Sequence, residues 1–355
     1  MHRRSVRLGV IAAAIPLLLA VWIPNGAEGS GGARATCRDV RVPVQLAPGG
    51  PVNKSIFGRL CMPAGPTPET VQLLVSGITY GNGYWDVPDP TGGTDRYSYV
   101  AAANEAGDAT LAIDRIGIGR SSRPLGALVT LDANAHTVHQ VVTALRNGLA
   151  TNSGSVSFDE VVLVGHSYGS WTSWIEASRY HDVDAVVLTG VTHQMPLVTA
   201  LPNALNLYPA ILDPAFGLFS GLDATYLTTQ PGSRYQLFYE PAPVDPAVLA
   251  HDEATKQTMT AAELAAFPAI LIAPLDIRVP VLLVNGTDDG LFCRPEAGGT
   301  DCSSAEALIA AEAPKLGPNV PSVDAYVLEG GGHDINQLEN SGDYFAAAQD
   351  WIAAR

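Results

Sequence analysis

The chain has 355 residues, of which 47% are hydrophobic and 15% charged, and it carries a formal net charge of −15. This composition is enough to build one large hydrophobic core, either as a single domain or as a core with an insertion. So acidic a chain repels nucleic acid and anionic membrane surfaces, so neither class of partner is expected.

The first residues have the features of a secretory signal peptide. Three early arginines precede the uncharged apolar run Leu8–Ile23, and an Ala-x-Ala pattern ends at Ala35. A membrane anchor is the alternative, but a sixteen-residue run that contains a proline is short of the roughly 20 residues that span a bilayer. The sequence therefore predicts a leader over residues 1–35 and a secreted mature protein.

The rest of the chain alternates strand-like and helix-like segments. The predicted strands are 40–46, 55–62, 71–76, 109–114, 160–164, 185–189, 281–285 and 324–328, and the predicted helices are 133–149, 167–180, 304–316 and 343–354. A Pro-Gly-Gly-Pro turn joins the first two strands as an antiparallel hairpin, and Pro43 restricts the first strand to a sheet edge. Runs such as 161–164 and 281–284 are apolar on both faces, as central parallel strands require. This alternation predicts a doubly wound α/β sheet.

Residues 194–278 interrupt the alternation. This stretch has no clear strand pattern and is rich in Leu, Pro, Tyr and Phe. It is too long for an ordinary connection, so it is predicted to be a helical lid, with short helices at 201–207, 246–257 and 260–267. The mature chain would then consist of a core segment 36–193, the lid 194–278 and a second core segment 279–355.

The chain contains four cysteines, Cys37, Cys61, Cys293 and Cys302. In an exported protein an even number indicates disulfides, with three possible pairings. Proximity along the chain favours Cys37–Cys61 and Cys293–Cys302. A zinc site is the alternative, but the sequence has neither a C-x2-C nor an H-E-x-x-H motif.

The segment Gly165-His166-Ser167-Tyr168-Gly169 follows an apolar strand directly and leads into a helix-compatible sequence. The glycines are needed because a Cβ at position 165 or 169 would collide with a neighbouring strand or helix. Such a G-x-S-x-G turn lifts the Ser167 hydroxyl above the sheet and points the N-terminus of the new helix towards it.

The order of four further segments extends this pattern. They are Val75-Ser76-Gly77-Ile78-Thr79, 114–121 with the pattern D-x-x-G-x-G-x-S, Gly286-Thr287-Asp288-Asp289 and Gly331-Gly332-His333. Together with the serine turn, the set resembles the α/β-hydrolase family over nearly all of residues 55–354. The resemblance implies a mostly parallel eight-stranded sheet and a serine hydrolase that needs no cofactor and no metal. Dehalogenases and epoxide hydrolases of this fold place a carboxylate where this chain has Ser167.

A serine hydroxyl becomes a useful nucleophile when a base removes its proton and an acid holds that base in one tautomer. The order Ser…Asp…His is the one that this fold uses. His333 is the only histidine beyond the candidate acid. The expected catalytic residues are therefore Ser167, Asp289 and His333. The family spacing G-x-x-D favours Asp289 over Asp288.

By the same resemblance, the oxyanion donors are the backbone N–H groups of Tyr168 and Ile78, with Thr79 open as the alternative to Ile78. Thr79, Tyr80 and His193 are expected to line the substrate pocket. His166 is expected to point away from the serine and to have a packing role.

The predicted reaction is hydrolysis of a carboxylic ester or lactone with a hydrophobic portion, through an acyl-serine intermediate. Two alternatives stay open at this point. One is an exported amidase or peptidase of the same fold, and the other is a ligand-binding protein that has lost turnover. The expected partner is a small-molecule substrate, with no nucleic acid and no stable membrane insertion after removal of the leader.

Overall fold

Eight strands rich in Val, Leu and Ile pair into one sheet in the computed structural model, which describes residues 35–92, 95–196, 206–217 and 221–355. The predicted leader, apart from Ala35, lies outside the described residues. The strands are β1 (Thr36–Val44), β2 (Lys54–Met62), β3 (Thr70–Val75), β4 (Ala109–Asp114), β5 (Leu149–Thr151), β6 (Gly154–Val156), β7 (Glu160–His166), β8 (Ala185–Thr189), β9 (Leu207–Pro209), β10 (Tyr226–Thr229), β11 (Met259–Thr260), β12 (Val281–Gly286) and β13 (Val323–Leu328). The α-helices are α1 (Tyr99–Ala106), α2 (Leu131–Asn147), α3 (Tyr168–Tyr180), α4 (Pro246–Thr255), α5 (Ala261–Ala265), α6 (Phe267–Ile270), α7 (Ala305–Glu312) and α8 (Ser341–Ala353).

The large sheet has the strand order β1-β2-β4-β3-β7-β8-β12-β13. The strands β1, β2 and β4 pair antiparallel at one edge, and every pairing from β4 to β13 is parallel. All eight predicted core strands are present, with ends that differ by a few residues. The prediction of an eight-stranded, mostly parallel α/β sheet is therefore confirmed.

Burial on both faces explains why the central strands are continuous apolar runs. Every residue of β4, β8 and β12 is buried, as parallel strands covered by helices require. The helices α2 and α3 pack against each other, and α1 packs against α8. The helix α1 was not predicted; it begins at the cap Ser98, whose side chain accepts from the Ala101 amide, and ends at Gly107 with φ +103°.

The insertion between β8 and β12 is mixed rather than purely helical. The predicted helices 246–257 and 260–267 correspond to α4 and to the pair α5 and α6. The predicted helix 201–207 lies outside the described residues, apart from its last two positions. A small antiparallel sheet of β9, β10 and β11 was not predicted, because strands of two to four residues are too short to show a period-two pattern.

Two disulfides join Cys37 to Cys61 and Cys293 to Cys302, as predicted from chain proximity. Cys37 and Cys61 are direct partners across the β1–β2 ladder. Within the part of the chain that the structure describes, no helix combines the length and the apolar character needed to cross a bilayer.

Gly169 provides a test of how tightly the sheet and α3 are packed. A Cβ at this position would lie 2.0 Å from the Val75 carbonyl oxygen, which is backbone and has little room to move. We expect Gly169→Ala to lower the free energy of unfolding by about 3 kcal/mol or more, at the upper end of overpacking effects. The control is Gly83→Ala, where a Cβ would meet no atom within 4 Å. Equal urea-unfolding curves for the two variants would contradict this packing argument.

Candidate active site

Ser167 lies at a sharp turn between β7 and α3. Its backbone has φ 54° and ψ −121°, a left-handed conformation that costs a non-glycine residue energy. The Ser167 amide donates to the Thr189 carbonyl oxygen at 2.8 Å, which ties the turn to β8. A Cβ on Gly165 would lie 2.6 Å from Ser170 Cα, so the turn closes only with glycine there. The strained serine is held by the strands and the helix on either side of it.

The structure brings together the three residues that the sequence selected. The Ser167 hydroxyl lies 2.9 Å from His333 Nε2, and His333 Nδ1 lies 3.0 Å from Asp289 Oδ2. All three side chains are buried, and Ser167 keeps 9% of its surface exposed. The Asp288 side chain instead lines a large cavity. Of the two adjacent aspartates, Asp289 is therefore the one paired with His333.

The loop after β12 fixes the orientation of the Asp289 carboxylate. The amides of Leu291 and Phe292 donate to Asp289 Oδ1 at 2.9 and 3.3 Å, which leaves Oδ2 free for the imidazole. The Cys293 amide donates to the Asp289 carbonyl oxygen at 2.8 Å. Cys293, which forms the disulfide with Cys302, is therefore also hydrogen-bonded through its backbone to Asp289.

His333 is held on a glycine loop after β13. A Cβ on Gly286 would lie 2.1 Å from the Gly331 carbonyl oxygen, so the end of β12 and this loop are in close contact. Burial alone would lower the pKa of His333, but the charge and hydrogen bond of Asp289, together with the charge of Asp334, raise it above its ordinary value. The imidazole is thus prepared to accept a proton.

The predicted oxyanion loop lies beside the serine. A Cβ on Gly77 would come within 3.0 Å of the Ser167 Cβ, which explains the glycine at this point. Tyr168 is the first residue of α3, where a backbone N–H has no acceptor within the helix. Ile78, Ser167 and Tyr168 line the same small cavity, whereas Thr79 does not. Ile78 stays the predicted second donor, with Thr79 as the alternative.

His166, for which a packing role was predicted, is buried and has a possible hydrogen-bond partner at each ring nitrogen. Its Nδ1 lies 3.0 Å from Thr189 Oγ1 and its Nε2 lies 3.1 Å from Asp334 Oδ1. Burial, and then the neighbouring His333, lower the pKa of His166 well below its ordinary value. The two imidazole centroids are 5.0 Å apart. A neutral His166 therefore stands between the serine turn and the residue next to the base.

A buried polar cluster connects His166 and Asp334 to the insertion. The Tyr80 hydroxyl donates to both Asp334 and Asp252. The Arg234 guanidinium binds Asp252 through Nε at 2.7 Å and through its terminal nitrogen at 2.8 Å. Burial raises the pKa of Asp334 to about 6. This cluster was not predicted, because residues 194–278 contain nine other charged residues and nothing in the sequence distinguishes Arg234 and Asp252 from them.

Two cavities meet above the serine. The smaller, of about 50 Å³, is almost entirely apolar, and the larger, of about 880 Å³, extends past His333 to the surface. The described residues that line the smaller cavity are Ile78, Ser167, Tyr168, Trp171, Met195, Leu207, Thr229, Leu237, Phe238, Leu264, Phe267 and Leu291. Leu237, Phe238 and Leu291 line both cavities. Most of the lining of the smaller cavity therefore comes from α3 and the insertion, whereas most of the lining of the larger cavity comes from residues after β12.

Thr79, Tyr80 and His193 were predicted to line the pocket, and none of them is among the described residues that line these two cavities. Thr79 Oγ1 accepts from Arg234 at 3.0 Å, and Tyr80 is engaged in the buried cluster. His193 Nδ1 lies 2.5 Å from Glu312 Oε2 and its ring stacks on Trp174. The hydroxyl groups of Thr79 and Tyr80 and His193 Nδ1 thus have partners within the protein, whereas His193 Nε2 has none among the described residues.

The atoms His166 Nε2, His333 Nε2 and the Asp334 carboxylate are close enough to be considered as metal ligands. Each group already has a hydrogen-bond partner within the protein. His333 Nε2 lies beside the Ser167 hydroxyl, and the Asp334 carboxylate is hydrogen-bonded to Tyr80 and His166. The arrangement thus fits a hydrogen-bonded network around His166 and His333 better than a metal site.

A model of the alpha/beta hydrolase family matches residues 72–348. A comparison with curated protein sequences found no match. Among solved structures, an alpha/beta hydrolase fold protein from Chitinophaga pinensis is similar with a TM-score of 0.57 and 14% identity, covering 90% of this chain and 98% of the other. A carboxylesterase from Bacillus subtilis gives a TM-score of 0.54 and 14% identity, covering 91% of this chain and 93% of the other.

A thermophilic esterase from Thermogutta terrifontis gives a TM-score of 0.52 and 16% identity, covering 89% of this chain and 98% of the other. At these identities the solved structures support the fold. They do not extend to a shared substrate.

The disulfide next to Asp289 provides a test of how the acid is held. Replacing Cys293 and Cys302 by serine should lower stability by roughly 2–3 kcal/mol and speed amide exchange at Leu291 and Phe292, the two donors to Asp289. The matched control is the Cys37 and Cys61 pair, which lies at the far edge of the sheet. Its removal should lower stability and leave those two amides unchanged. Unaltered exchange in the first variant would show that the loop holds the acid without its bridge.

Proposed function

The chain belongs to the α/β-hydrolase family, and on this premise we propose that it is a secreted serine hydrolase that cleaves a carboxylic ester or lactone. The observation that carries the proposal is the continuous contact from the Ser167 hydroxyl through His333 to Asp289, at 2.9 and 3.0 Å. Both distances lie within the range over which a proton passes between such groups.

In the proposed reaction, Ser167 Oγ attacks the ester carbonyl carbon while His333 Nε2 takes the hydroxyl proton. Asp289 stabilises the imidazolium and keeps Nδ1 protonated. The N–H groups of Ile78 and Tyr168 donate to the oxygen that becomes negative in the tetrahedral intermediate. Collapse of this intermediate breaks the C–O bond, and His333 returns the proton to the leaving alcohol. Water then attacks the acyl-serine by the same sequence of transfers and releases the acid.

The two cavities suggest where the two parts of the substrate bind. The small apolar cavity beside Ser167 suits a short, apolar acyl group, since burial of apolar surface supplies its binding energy. The large cavity suits the leaving group. Its described lining contains one arginine and five carboxylates, Glu240, Asp288, Glu296, Asp301 and Glu329. This charge disfavours an anionic leaving group and favours a neutral alcohol or a lactone ring.

Further features support an exported protein with a lid. The two disulfides are typical of an oxidising compartment, in agreement with the leader predicted over residues 1–35. The insertion over 194–278 supplies Leu237, Phe238 and Phe267 to the wall of the small cavity. We assign it as the lid that excludes water from the acyl group.

The first test is labelling of Ser167 by a fluorophosphonate together with hydrolysis of p-nitrophenyl acetate. Wild-type protein should react with the probe, and Ser167→Ala should lose both labelling and turnover. Asp289→Asn should lower kcat by about 10⁴-fold, because His333 loses its orienting partner. Asp288→Asn is the matched control and should keep most of the activity. A folded wild-type protein that neither labels nor turns over would overturn the proposal, and peptide anilide cleavage in preference to esters would move it to an amidase.

The pH dependence of kcat/KM follows from the charges around His333. The base acts in its neutral form, so activity should fall as pH decreases through the pKa of His333. Asp289 and Asp334 raise this pKa, so the midpoint of the acid limb should lie above the ordinary histidine value of about 6.5. In Asp289→Asn the residual activity should have its midpoint at lower pH. A wild-type midpoint well below 6.5 would contradict the electrostatic assignment.

Acyl-chain preference tests the assignment of the small cavity. Its 50 Å³ corresponds to a few water-sized spheres, so acetyl and butyryl esters should be cleaved with higher kcat/KM than octanoyl and longer esters. Leu237→Ala should shift the preference towards longer chains by opening the wall shared with the large cavity. Leu308→Ala, which removes a buried leucine outside both cavities, is the control. Equal rates across chain lengths in wild type would refute this binding mode.

A further inference from the structure

A second cluster of ionisable side chains lies outside the proposed active site, where α2 packs against α3. His139 lies on α2, Glu176 lies on α3, and Asp182 lies just after α3 ends. One nitrogen and two carboxylate oxygens from these residues lie within 4.8 Å of one another. His139 Nδ1 is 2.7 Å from Asp182 Oδ2 and 4.0 Å from Glu176 Oε1. Three potential ligands from three different segments thus converge on one point.

Glu176 is the unusual member of this cluster. Its side chain is fully buried, and no N–H or O–H group among the described residues donates to either carboxylate oxygen. Asp182 Oδ1 likewise has no such donor. Burying an ionised carboxylate in this way is costly, so such groups are ordinarily protonated, paired or bound to a cation. At this cluster the oxygens without a donor lie next to an imidazole nitrogen.

The surrounding groups orient the ligands but do not neutralise them. The His139 ring stacks on Tyr180 with 3.9 Å between centroids, and the Tyr180 hydroxyl lies 3.0 Å from His136 Nδ1. Arg146 is the nearby cation, but its guanidinium binds the Asp182 backbone carbonyl at 2.8 Å and the Asp184 carboxylate at 2.6 Å. Two carboxylates therefore face a fixed imidazole without a cation of their own.

We propose that His139, Glu176 and Asp182 bind a divalent transition-metal ion of the zinc type, with water as a fourth ligand. The donor set decides the class of ion. Imidazole nitrogen with two carboxylates suits Zn²⁺, whereas Ca²⁺ and Mg²⁺ take mainly oxygen ligands in larger number. A dication would also cancel the two negative charges.

The spacing of the ligands suits this ion. Zinc bonds of about 2.0–2.2 Å in tetrahedral geometry place neighbouring ligand atoms roughly 3.4 Å apart. The distances of 2.7 and 4.0 Å from His139 Nδ1 lie on either side of this value. The three ligand atoms all lie within 4.8 Å of one another, so modest side-chain shifts would bring them to this spacing. The His139 and Asp182 side chains are 29% and 22% exposed, which gives an ion a path from solvent.

The rival structure is a proton shared between Glu176 and Asp182. Burial, and then the charge of Asp182 and a hydrogen bond with it, raise the pKa of Glu176 well above its ordinary value, which favours this alternative when no metal is bound. The two states differ in a measurable way. Metal binding displaces the proton, so zinc affinity should rise with pH.

The experiment uses the purified protein after removal of any affinity tag and treatment with a chelator. Zinc chloride is then added during calorimetric titration and thermal melting. Wild type should bind one zinc ion at this cluster and gain several degrees in Tm, since a ligand that binds the folded state stabilises it. Glu176→Gln keeps the shape, removes the charge and should weaken zinc affinity by at least about 10–100-fold, which loss of even an indirect partner can cause. Calcium chloride should give no comparable shift.

Glu312→Gln is the matched control. It removes another buried carboxylate that is paired with a histidine, His193, and with Lys315. The zinc-induced change in Tm should match that of wild type. Should Glu176→Gln fold poorly, His139→Gln at a partly exposed position serves in its place.

Fluorophosphonate labelling of Ser167 with and without zinc separates this site from the active-site histidines. Zinc at His139 should leave the labelling rate unchanged, whereas zinc at His333 would slow it. The proposal is overturned by a wild type that gains no stability from zinc, or by Glu176→Gln and His139→Gln proteins that respond as wild type does. A failure of the ester-hydrolysis assays would leave this result unaffected, because the cluster contains none of the proposed catalytic residues.

Discussion

The close packing of β7, β3 and the start of α3 is the constraint on which the rest of the site depends. Gly165 and Gly169 let the chain reverse within a space that no side chain would fit, with the Val75 carbonyl oxygen as the nearest obstacle at Gly169. That reversal holds Ser167 at a positive φ immediately before α3, and Ser167 and Tyr168 both line the small apolar cavity. The surrounding sheet stabilises the strained serine because its strands are buried on both faces.

Electrostatic arrangement around the histidine is the second organising feature. His333 has Asp289 on one side and Asp334 as its chain neighbour, and both raise its pKa. His166 stays neutral beside it, because burial and His333 both disfavour its charged form. The network therefore concentrates proton affinity on one of two imidazoles that are only 5.0 Å apart. Although the whole chain is acidic, the pKa of His333 is set by the positions of these two carboxylates more than by the net charge of the chain.

The sequence was informative where local pattern and three-dimensional role coincide. Core strands such as β8 and β12 are uninterrupted apolar runs, which are recognisable in the sequence. Ser167, Asp289 and His333 each follow a parallel strand, and the carboxyl ends of parallel strands lie at one edge of the sheet. The pocket was not predictable in this way. Its walls come from the insertion, whose strands are two to four residues long, and from aromatic residues of α3 such as Trp171.

Polar partners separated by long stretches of chain were equally hidden. His166 and Asp334 are 168 residues apart, and no periodicity along the chain connects them. Thr79 and Tyr80 were assigned to the pocket because they follow the oxyanion loop, yet both side chains bind the Arg234 and Asp252 pair of the insertion. The position of these residues in the sequence indicated where their backbone lies. Their hydrogen-bond partners, which are distant along the chain, determine the direction of their side chains.

The buried contact between Arg234, Asp252 and the loop of Thr79 and Tyr80 has a consequence for how this protein can change over evolutionary time. Arg234 and Asp252 both belong to the insertion, and this charged pair also binds the hydroxyl groups of Thr79 and Tyr80 in the core. Loss of either charged partner would leave the other buried and unpaired. An insertion taken from another relative would bring different side chains to this junction and leave the two hydroxyl groups without these partners. The insertion and the loop of Thr79 and Tyr80 are therefore expected to be inherited as one unit, with change proceeding by single substitutions in the cavity wall.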